Sequence, residues 1–278
     1  MTSAARFDLA ARVEQIEAEA WAQLNGLAPP EFRARVGLEV HRVGSTICVV
    51  SARSKILSVN RVLGLGCPDV AGEAQIDDIL ALYRVAGVEK CLIQLSPVAI
   101  PPRIDEWLRA RGAYRIAPTI KLVCSLASVE PAWHARFDVR DVTQEEVSTF
   151  ERIVAPRLGV PEGLEAGISS MIGRPDWRYY FVLDDRSPIA AAGSFIRGDH
   201  AWLGLAATCE EHRGLGAQSF VIAKRLEDAA RAGCRWASAD TSVPTAERPN
   251  QSLKNMLRLG FEVLYERVNY VVPLGDTP

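Results

Sequence analysis

The stretch EEHRGLGAQSF, residues 210–220, sets two glycines, Gly214 and Gly216, between an arginine and a long apolar-periodic run. A helix ordinarily starts on a Ser, Thr, Asp or Asn cap. Upstream, HAWLGLAAT (200–208) reads as a strand; downstream, Ile222, Leu226, Ala229 and Ala230 share one helical face. A strand that passes through Arg-Gly-Leu-Gly directly into a helix aims several backbone N–H groups and the positive end of the helix dipole at one point. That is an anion site. Glycine at 214 and 216 keeps side chains away so that a phosphate reaches the backbone, and Arg213 adds charge. Taken alone, such a Gly-x-Gly reads more simply as a tight turn capping a surface helix.

Working outward, helices and strands alternate. Val13, Ile16, Ala20 and Leu24 predict an amphipathic first helix ending near Asn25-Gly26, with Arg12, Glu14 and Glu17 on its other faces. Strand-like runs at 37–43, 46–51 and 56–63 follow, then a helix through Ile76, Ile79, Leu80 and Tyr83 and the apolar run CLIQLS. A short helix carries Ile104, Trp107 and Leu108, and a strand runs from Tyr114 to about Leu126. From residue 137 the order recurs: a strand FDVRDV, a helix opened by a Thr-x-x-Glu capping box, a second helix in PEGLEAGISSMIG, and three strands joined by turns. After the helix that follows the glycine loop come the strand RWASADT, a helix bearing Leu253, Met256 and Leu257, and a last strand FEVLYERVNYVV.

The two halves match. A shift of 146 positions carries Ile76, Leu80 and Tyr83 onto Ile222, Leu226 and Ala229, and CLIQLS onto ASADTS. A shift of 149 carries Ile104, Trp107 and Leu108 onto Leu253, Met256 and Leu257. This predicts one fold written twice.

Composition sets bounds. The 278 residues are 48% hydrophobic and 24% charged, with a net charge of -2, which argues against nucleic acid or an anionic membrane as partner. The N-terminal stretch has neither the basic region nor the apolar core of a secretory signal, so a cytoplasmic protein is expected. Six scattered cysteines, with no CxxC pair and no Cys/His cluster, predict free thiols, no disulfide and no metal site.

Residues 137–272 resemble the GCN5-related N-acetyltransferase (GNAT) family in the order of their elements. Arg213-Gly214-Leu215-Gly216 is similar to that family's acyl-CoA pyrophosphate loop, and NQSLKNMLRLGF (250–261) to its later helix, which typically ends in Leu-Gly-Phe. The resemblance implies an α/β (α+β) fold of two tandem GNAT-like domains, residues 1–130 and 131–278, each a mixed, mostly antiparallel twisted sheet flanked by helices. It implies acetyl-CoA as co-substrate, its pyrophosphate on the amides of Arg213, Gly214, Leu215, Gly216, Ala217 and Gln218. Pantetheine would lie along Ala206, Ala207 and Thr208, with polar contacts from Asn250 and Asn255. The activity implied is N-acyl transfer to a primary amine of a small molecule or peptide, by direct attack in a ternary complex. A backbone N–H near Ala207 would hold the oxyanion.

The pattern departs from the family in places. Gln218 stands where the loop has Gly or Ala, and Met256 falls where many members place the tyrosine that protonates the leaving thiolate. Ser252, Asn255 or a water is the substitute, and protonation need not limit the rate for a thiolate of pKa about 8.5. For the general base the candidates are His200, Asp240 and Tyr265, with Asp240 first; a strand-terminal Asp satisfied by turn amides is the plainer reading of that residue. In the first half, Cys67-Pro68-Asp69-Val70-Ala71-Gly72 replaces the phosphate loop. Proline removes a donor, aspartate repels phosphate and valine crowds it, so residues 1–130 are expected to have lost the cofactor and to serve as a cleft wall or a homodimer surface. A non-catalytic acyl-CoA-binding or regulatory protein on the same fold is the alternative.

Overall fold

The computed structural model describes residues 3–127, 136–160 and 163–275. The chain forms two compact units, Met1–Ile120 with Tyr265–Pro278, and Lys121–Leu264. A single cut at 130/131 does not describe this division, because the end of the chain returns to the first unit.

The first unit contains α1 (Ser3–Gly26), α2 (Pro30–Val36), β1 (Leu38–Val43), β2 (Thr46–Ser51), β3 (Arg61–Leu63), α3 (Glu73–Val85), β4 (Lys90–Leu95), α4 (Ile104–Ala110) and the start of β5 (Tyr114–Ser125). The second holds β6 (Asp138–Asp141), α5 (Val147–Leu158), α6 (Ala166–Ser169), β7 (Trp177–Asp184), β8 (Ser187–Arg197) and β9 (His200–Thr208). It continues through α7 (Ala217–Arg231), β10 (Trp236–Ser242) and α8 (Gln251–Arg258) to the first residues of β11 (Glu262–Pro273). In the first unit the strands lie in the order β1-β2-β3-β4-β11, and in the second β5-β10-β9-β8-β7-β6. The repeat read in the sequence is therefore a repeat of strand, loop, helix, strand and helix: β3-α3-β4-α4 in one unit, β9-α7-β10-α8 in the other.

Several boundaries differ from the sequence reading. Helix α2 was not expected; Pro30 at its first turn and Gly37 in the left-handed region delimit it within seven residues, too few for a periodic signal. The strand expected at 56–63 begins only at Arg61. The helix expected in PEGLEAGISSMIG shrinks to the single turn α6, and residues 161–162 of that stretch lie outside the described residues.

Helix α1 packs on β1 and β2, and it buries Glu14 and Glu17 to 1% exposure, on a side the periodicity assigned to solvent. Their partner is Arg267 of β11, 250 positions or more away in the chain. It donates to Glu17 at 2.6 and 3.2 Å and to Glu14 at 3.3 Å, while the Tyr265 hydroxyl donates to Glu14 at 2.6 Å. Such a pair contributes little net stability but penalises any misplacement of β11, because a lone buried charge costs several kcal/mol.

In the second unit, α7 covers one face of the sheet over Tyr180, Val182, Ile189, Ala190 and Ala192. On β7, β8 and β9, Trp177, Tyr179, Phe195 and Trp202 form an aromatic cluster that Phe150 of α5 joins edge-on. The capping box is present at Thr143 and Glu146; Arg140 grips Glu146 through two bonds of 2.7 and 2.6 Å. The Arg140 guanidinium holds the Glu146 carboxyl down to about 2. Its contribution to stability is complete above the ordinary carboxylate range and is lost as the pH falls toward that depressed value. Glu146→Gln is therefore expected to flatten the acid limb of the stability curve between about pH 5 and pH 2 while changing little at neutral pH beyond the loss of the pair; urea titrations across that range measure it.

Candidate acyl-CoA site

Strands β9 and β10 run parallel and pair only where they begin: His200 lies opposite Trp236, Ala201 opposite Ala237 and Trp202 opposite Ser238. Beyond that point the strands part, which leaves the edge of β9 from Leu203 to Thr208 open toward β10. A bulge accompanies the parting. On its other edge β9 pairs β8 in one register up to Gly204 and in another from Ala207, so Leu205 and Ala206 together face Ala192 and the strand bends. Leu205 takes φ 51°, rare for a side chain of its size. A Cβ on Gly204 would lie 2.1 Å from the Trp202 ring, so only glycine lets that ring lie across the strand.

The ladder also fixes which amides face the opening. Cys209 N–H donates to the Ile189 carbonyl at 2.8 Å. In an antiparallel pair the orientation alternates, so Ala207, two residues back, likewise turns its N–H to β8, while Thr208 turns its N–H to the open edge. The register turns the Ala207 N–H toward β8; the outward-facing amides near it belong to its neighbours.

The loop beyond β9 has the expected form. Gly214 (φ 80°) and Gly216 (φ 94°) are left-handed, and Gly216 is the N-cap of α7. A Cβ at either would meet no atom within 4 Å; backbone conformation, not crowding, selects glycine here. The amides of Leu215, Gly216, Ala217 and Gln218 find no acceptor among the described residues, and Ser219 N–H closes back on the Gly216 carbonyl at 2.8 Å. Arg213 is exposed beside them. The acidic Glu210 is answered by Arg157 at 2.8 Å, which holds its carboxyl below the usual range, with Arg213 adding to the effect.

Helix α8 is tied to this loop by side chains. Gln218 donates to the Ser252 hydroxyl at 2.8 Å and accepts from Asn255 at 2.8 Å, and Gln251 donates to Asn255 at 3.0 Å. Arg258 reaches Ser219 at 2.7 Å. Gln218, which stands where the family loop has Gly or Ala, bridges the two helices. Asn255 is buried and satisfied within this network. Asn250 is the α8 cap: it accepts from Leu253 N–H at 2.9 Å and donates to Thr241 at 2.8 Å and to the Ser242 carbonyl at 2.6 Å. Met256 is buried at 5% exposure, consistent with packing.

The base candidates separate. His200 sits at the start of β9, away from the open end, with Asp199 at 3.2 Å. The Tyr265 hydroxyl is engaged by Glu14, and burial pushes its ionisation well above the ordinary value. Asp240, on β10 two residues past the last pair, is half-buried and faces the fully buried Lys121 of β5 at 3.9 Å. Two further residues were missed by the sequence reading: Lys121, which carries no local signal, and Arg225, buried on α7. The signal for Arg225 was present, a charge at position 225 on the face that carries Ile222, Leu226 and Ala229.

The first unit treats the same positions differently. There β3 pairs β4 at Arg61 with Leu92 and Val62 with Ile93. The Ala71 N–H, counterpart of Ala217, donates to the Ile100 carbonyl at 2.7 Å, and Ile100 N–H donates to Gly66 at 2.9 Å. The chain's own segment thus takes up one donor, the Ala71 N–H, whose counterpart at Ala217 the second unit leaves open. Burial raises the Cys67 thiol to about 12, so it carries no charge at neutral pH.

Among the described residues no group of three or more His, Cys, Asp or Glu is placed to hold a metal, and no helix is long and apolar enough to cross a membrane. No family model matches the sequence, and no curated protein does. Solved structures do. A GCN5-related N-acetyltransferase from Kribbella flavida superposes with a TM-score of 0.63 at 17% identity, over 93% of this chain and 96% of that one. A tandem GNAT protein from the clavulanic acid biosynthesis pathway gives 0.59 at 18%, over 94% and 96%, and a conserved protein of unknown function from Staphylococcus epidermidis gives 0.60 at 11%, over 86% and 95%. The chain has the GNAT fold, present twice as in tandem GNAT proteins.

The capping geometry yields a test. Asn250→Ala is expected to cost about 1 kcal/mol of stability and to leave CoA affinity within about threefold, as read by denaturation and calorimetry; a loss of affinity well beyond that would return Asn250 to the ligand contacts.

Proposed function

We propose that the second unit binds acyl-CoA between β9 and β10 and that the protein is an N-acyltransferase using acetyl-CoA. The observation that carries this reading is the parting of the two strands beside a loop of unpaired amides: an open strand edge suited to an extended amide chain, continuous with a positive helix end suited to a pyrophosphate. The amides of residues 214–218 and Arg213 would take the phosphates, and the edge at Ala206–Thr208 the pantetheine.

In this reading the acceptor's neutral amine attacks the thioester carbon, outward-facing amides at the bulge and Thr208 stabilise the developing oxyanion, and collapse expels the CoA thiolate. Asp240 receives the amine proton directly or through water. Ser252, whose oxygen accepts from Gln218, has its hydroxyl free to donate a hydrogen bond to the departing thiolate, which takes its proton from water. The acceptor is a primary amine of a small molecule or peptide, and the protein acts in the cytoplasm. The first unit, with its Ala71 amide taken by the Ile100 carbonyl and with Pro68 and Asp69 in its loop, does not bind CoA and serves as scaffold or homodimer surface. If the site binds acyl-CoA without turnover, thiol release stays at background with every amine tried, and the regulatory reading takes over.

Calorimetry with CoA should give one site per chain; two sites of similar affinity would reverse the account of the first unit. Gly216→Ala forces a side chain into a left-handed position, at a cost of about 1–2 kcal/mol, and should weaken CoA binding on the order of tenfold by moving the loop amides; unchanged affinity would sink the phosphate-loop reading. Met256→Leu, a swap of similar volume, should retain turnover to within about threefold, measured by thiol release against a panel of amines.

A further inference from the structure

Arg225 is fully buried among the apolar residues of α7. Among the described residues no carboxylate pairs with it. Burial pushes the guanidinium down to about 10, which leaves it charged at neutral pH. Its donors go to backbone: Nε to the Val221 carbonyl at 3.2 Å, Nη1 to the carbonyls of Gly193 at 3.1 Å and Gly204 at 3.3 Å. Packing alone does not call for such a residue, since a leucine or methionine would fill the place without the cost of an unpaired buried cation. What the charge reaches is specific. Gly193 and Gly204 are paired with each other and are the last such pair before the bulge at Leu205 and Ala206.

We infer that Arg225 is a positioning residue for acyl transfer, clamping the carbonyls of both strands at the bulge and so fixing the amides that face the thioester. The inference rests on the acyltransferase reading. Its physical route is short. A trans peptide is planar, so the Leu205 N–H points opposite to the Gly204 carbonyl; holding the carbonyl holds the N–H toward the other side. The same hydrogen bond from a charged donor polarises the peptide and strengthens that N–H as a donor in turn. The strained φ of Leu205 persists because the surroundings fix it, and a catalytic dipole is useful only if it is held before charge develops.

The test compares Arg225→Met, Arg225→Gln and Arg225→Lys with Leu226→Ala, a core truncation on the same helix. Thiol release gives kcat and KM, calorimetry the CoA affinity, and amide hydrogen exchange the order of residues 204–208. Arg225→Met should lower kcat about 100-fold, with KM and CoA affinity within about threefold. Arg225→Lys, which keeps a charged donor, should recover most of the loss. Leu226→Ala should lower the melting temperature comparably while leaving kcat within about twofold. Exchange at residues 204–208 should accelerate in Arg225→Met and not in Arg225→Lys. Should Arg225→Met fail to fold, Arg225→Gln replaces it, with at least a tenfold loss of kcat expected. The proposal is overturned if the neutral variants keep wild-type kcat, if Leu226→Ala loses as much, or if exchange at the bulge is unchanged. A wild-type protein that releases no thiol with any amine refutes the acyltransferase reading instead, and the exchange measurement then decides the clamp by itself.

Discussion

The candidate site of the second unit depends on β9 and β10 ceasing to pair after three residues. Two neighbouring parallel strands that part leave backbone donors and acceptors without partners, a costly state away from water. The fold sustains it through the bulge in β9, which bends the strand away from its neighbour, and through α7 and α8, which follow the parted strands and bring the glycine loop and the Gln218–Ser252–Asn255 bonds to the same end of the sheet. An opening made of backbone constrains a ligand's shape and hydrogen-bonding pattern more than its side-chain chemistry. That suits a ligand with an extended amide chain and a diphosphate.

The first unit is an internal control on this argument. It has the same succession of elements and its β3 and β4 pair at only two positions, yet there the Ala71 N–H donates to the Ile100 carbonyl and the Ile100 N–H to the Gly66 carbonyl. Gly66 makes that possible: a Cβ there would come within 2.9 Å of both the Ile100 nitrogen and oxygen. Topology does not by itself create the opening. A few residues at the end of one strand and the start of one helix decide whether the backbone binds itself or is left for a ligand.

Buried charge does different work in the two units. Glu14, Glu17 and Arg267 bring helix α1 together with the strand at the far end of the chain, and their mutual dependence specifies which strand completes the first unit. Among the described residues Arg225 has no such partner, and it donates to carbonyls at the bulge. In the first case removing one member orphans a charge; in the second it frees two backbone carbonyls and the local geometry they hold.

The alternation of helices and strands, the repeat, the glycine loop and the capping box are legible in the sequence, because each is written in local spacing: apolar period, a turn that demands positive φ, a hydroxyl three residues before a carboxylate; the fold class followed from the family resemblance of two of these motifs. Local spacing also carried the contrast between Arg-Gly-Leu-Gly and Cys-Pro-Asp-Val. Tertiary structure decided what spacing does not encode. Whether Glu14 and Glu17 face water depends on Arg267, some 250 residues away. Whether Asn250 is a cap or a ligand contact depends on where Thr241 and Ser242 end their strand. Which amide at the end of β9 faces outward depends on a one-residue shift in its pairing with β8, since each step along a strand reverses the direction of the N–H.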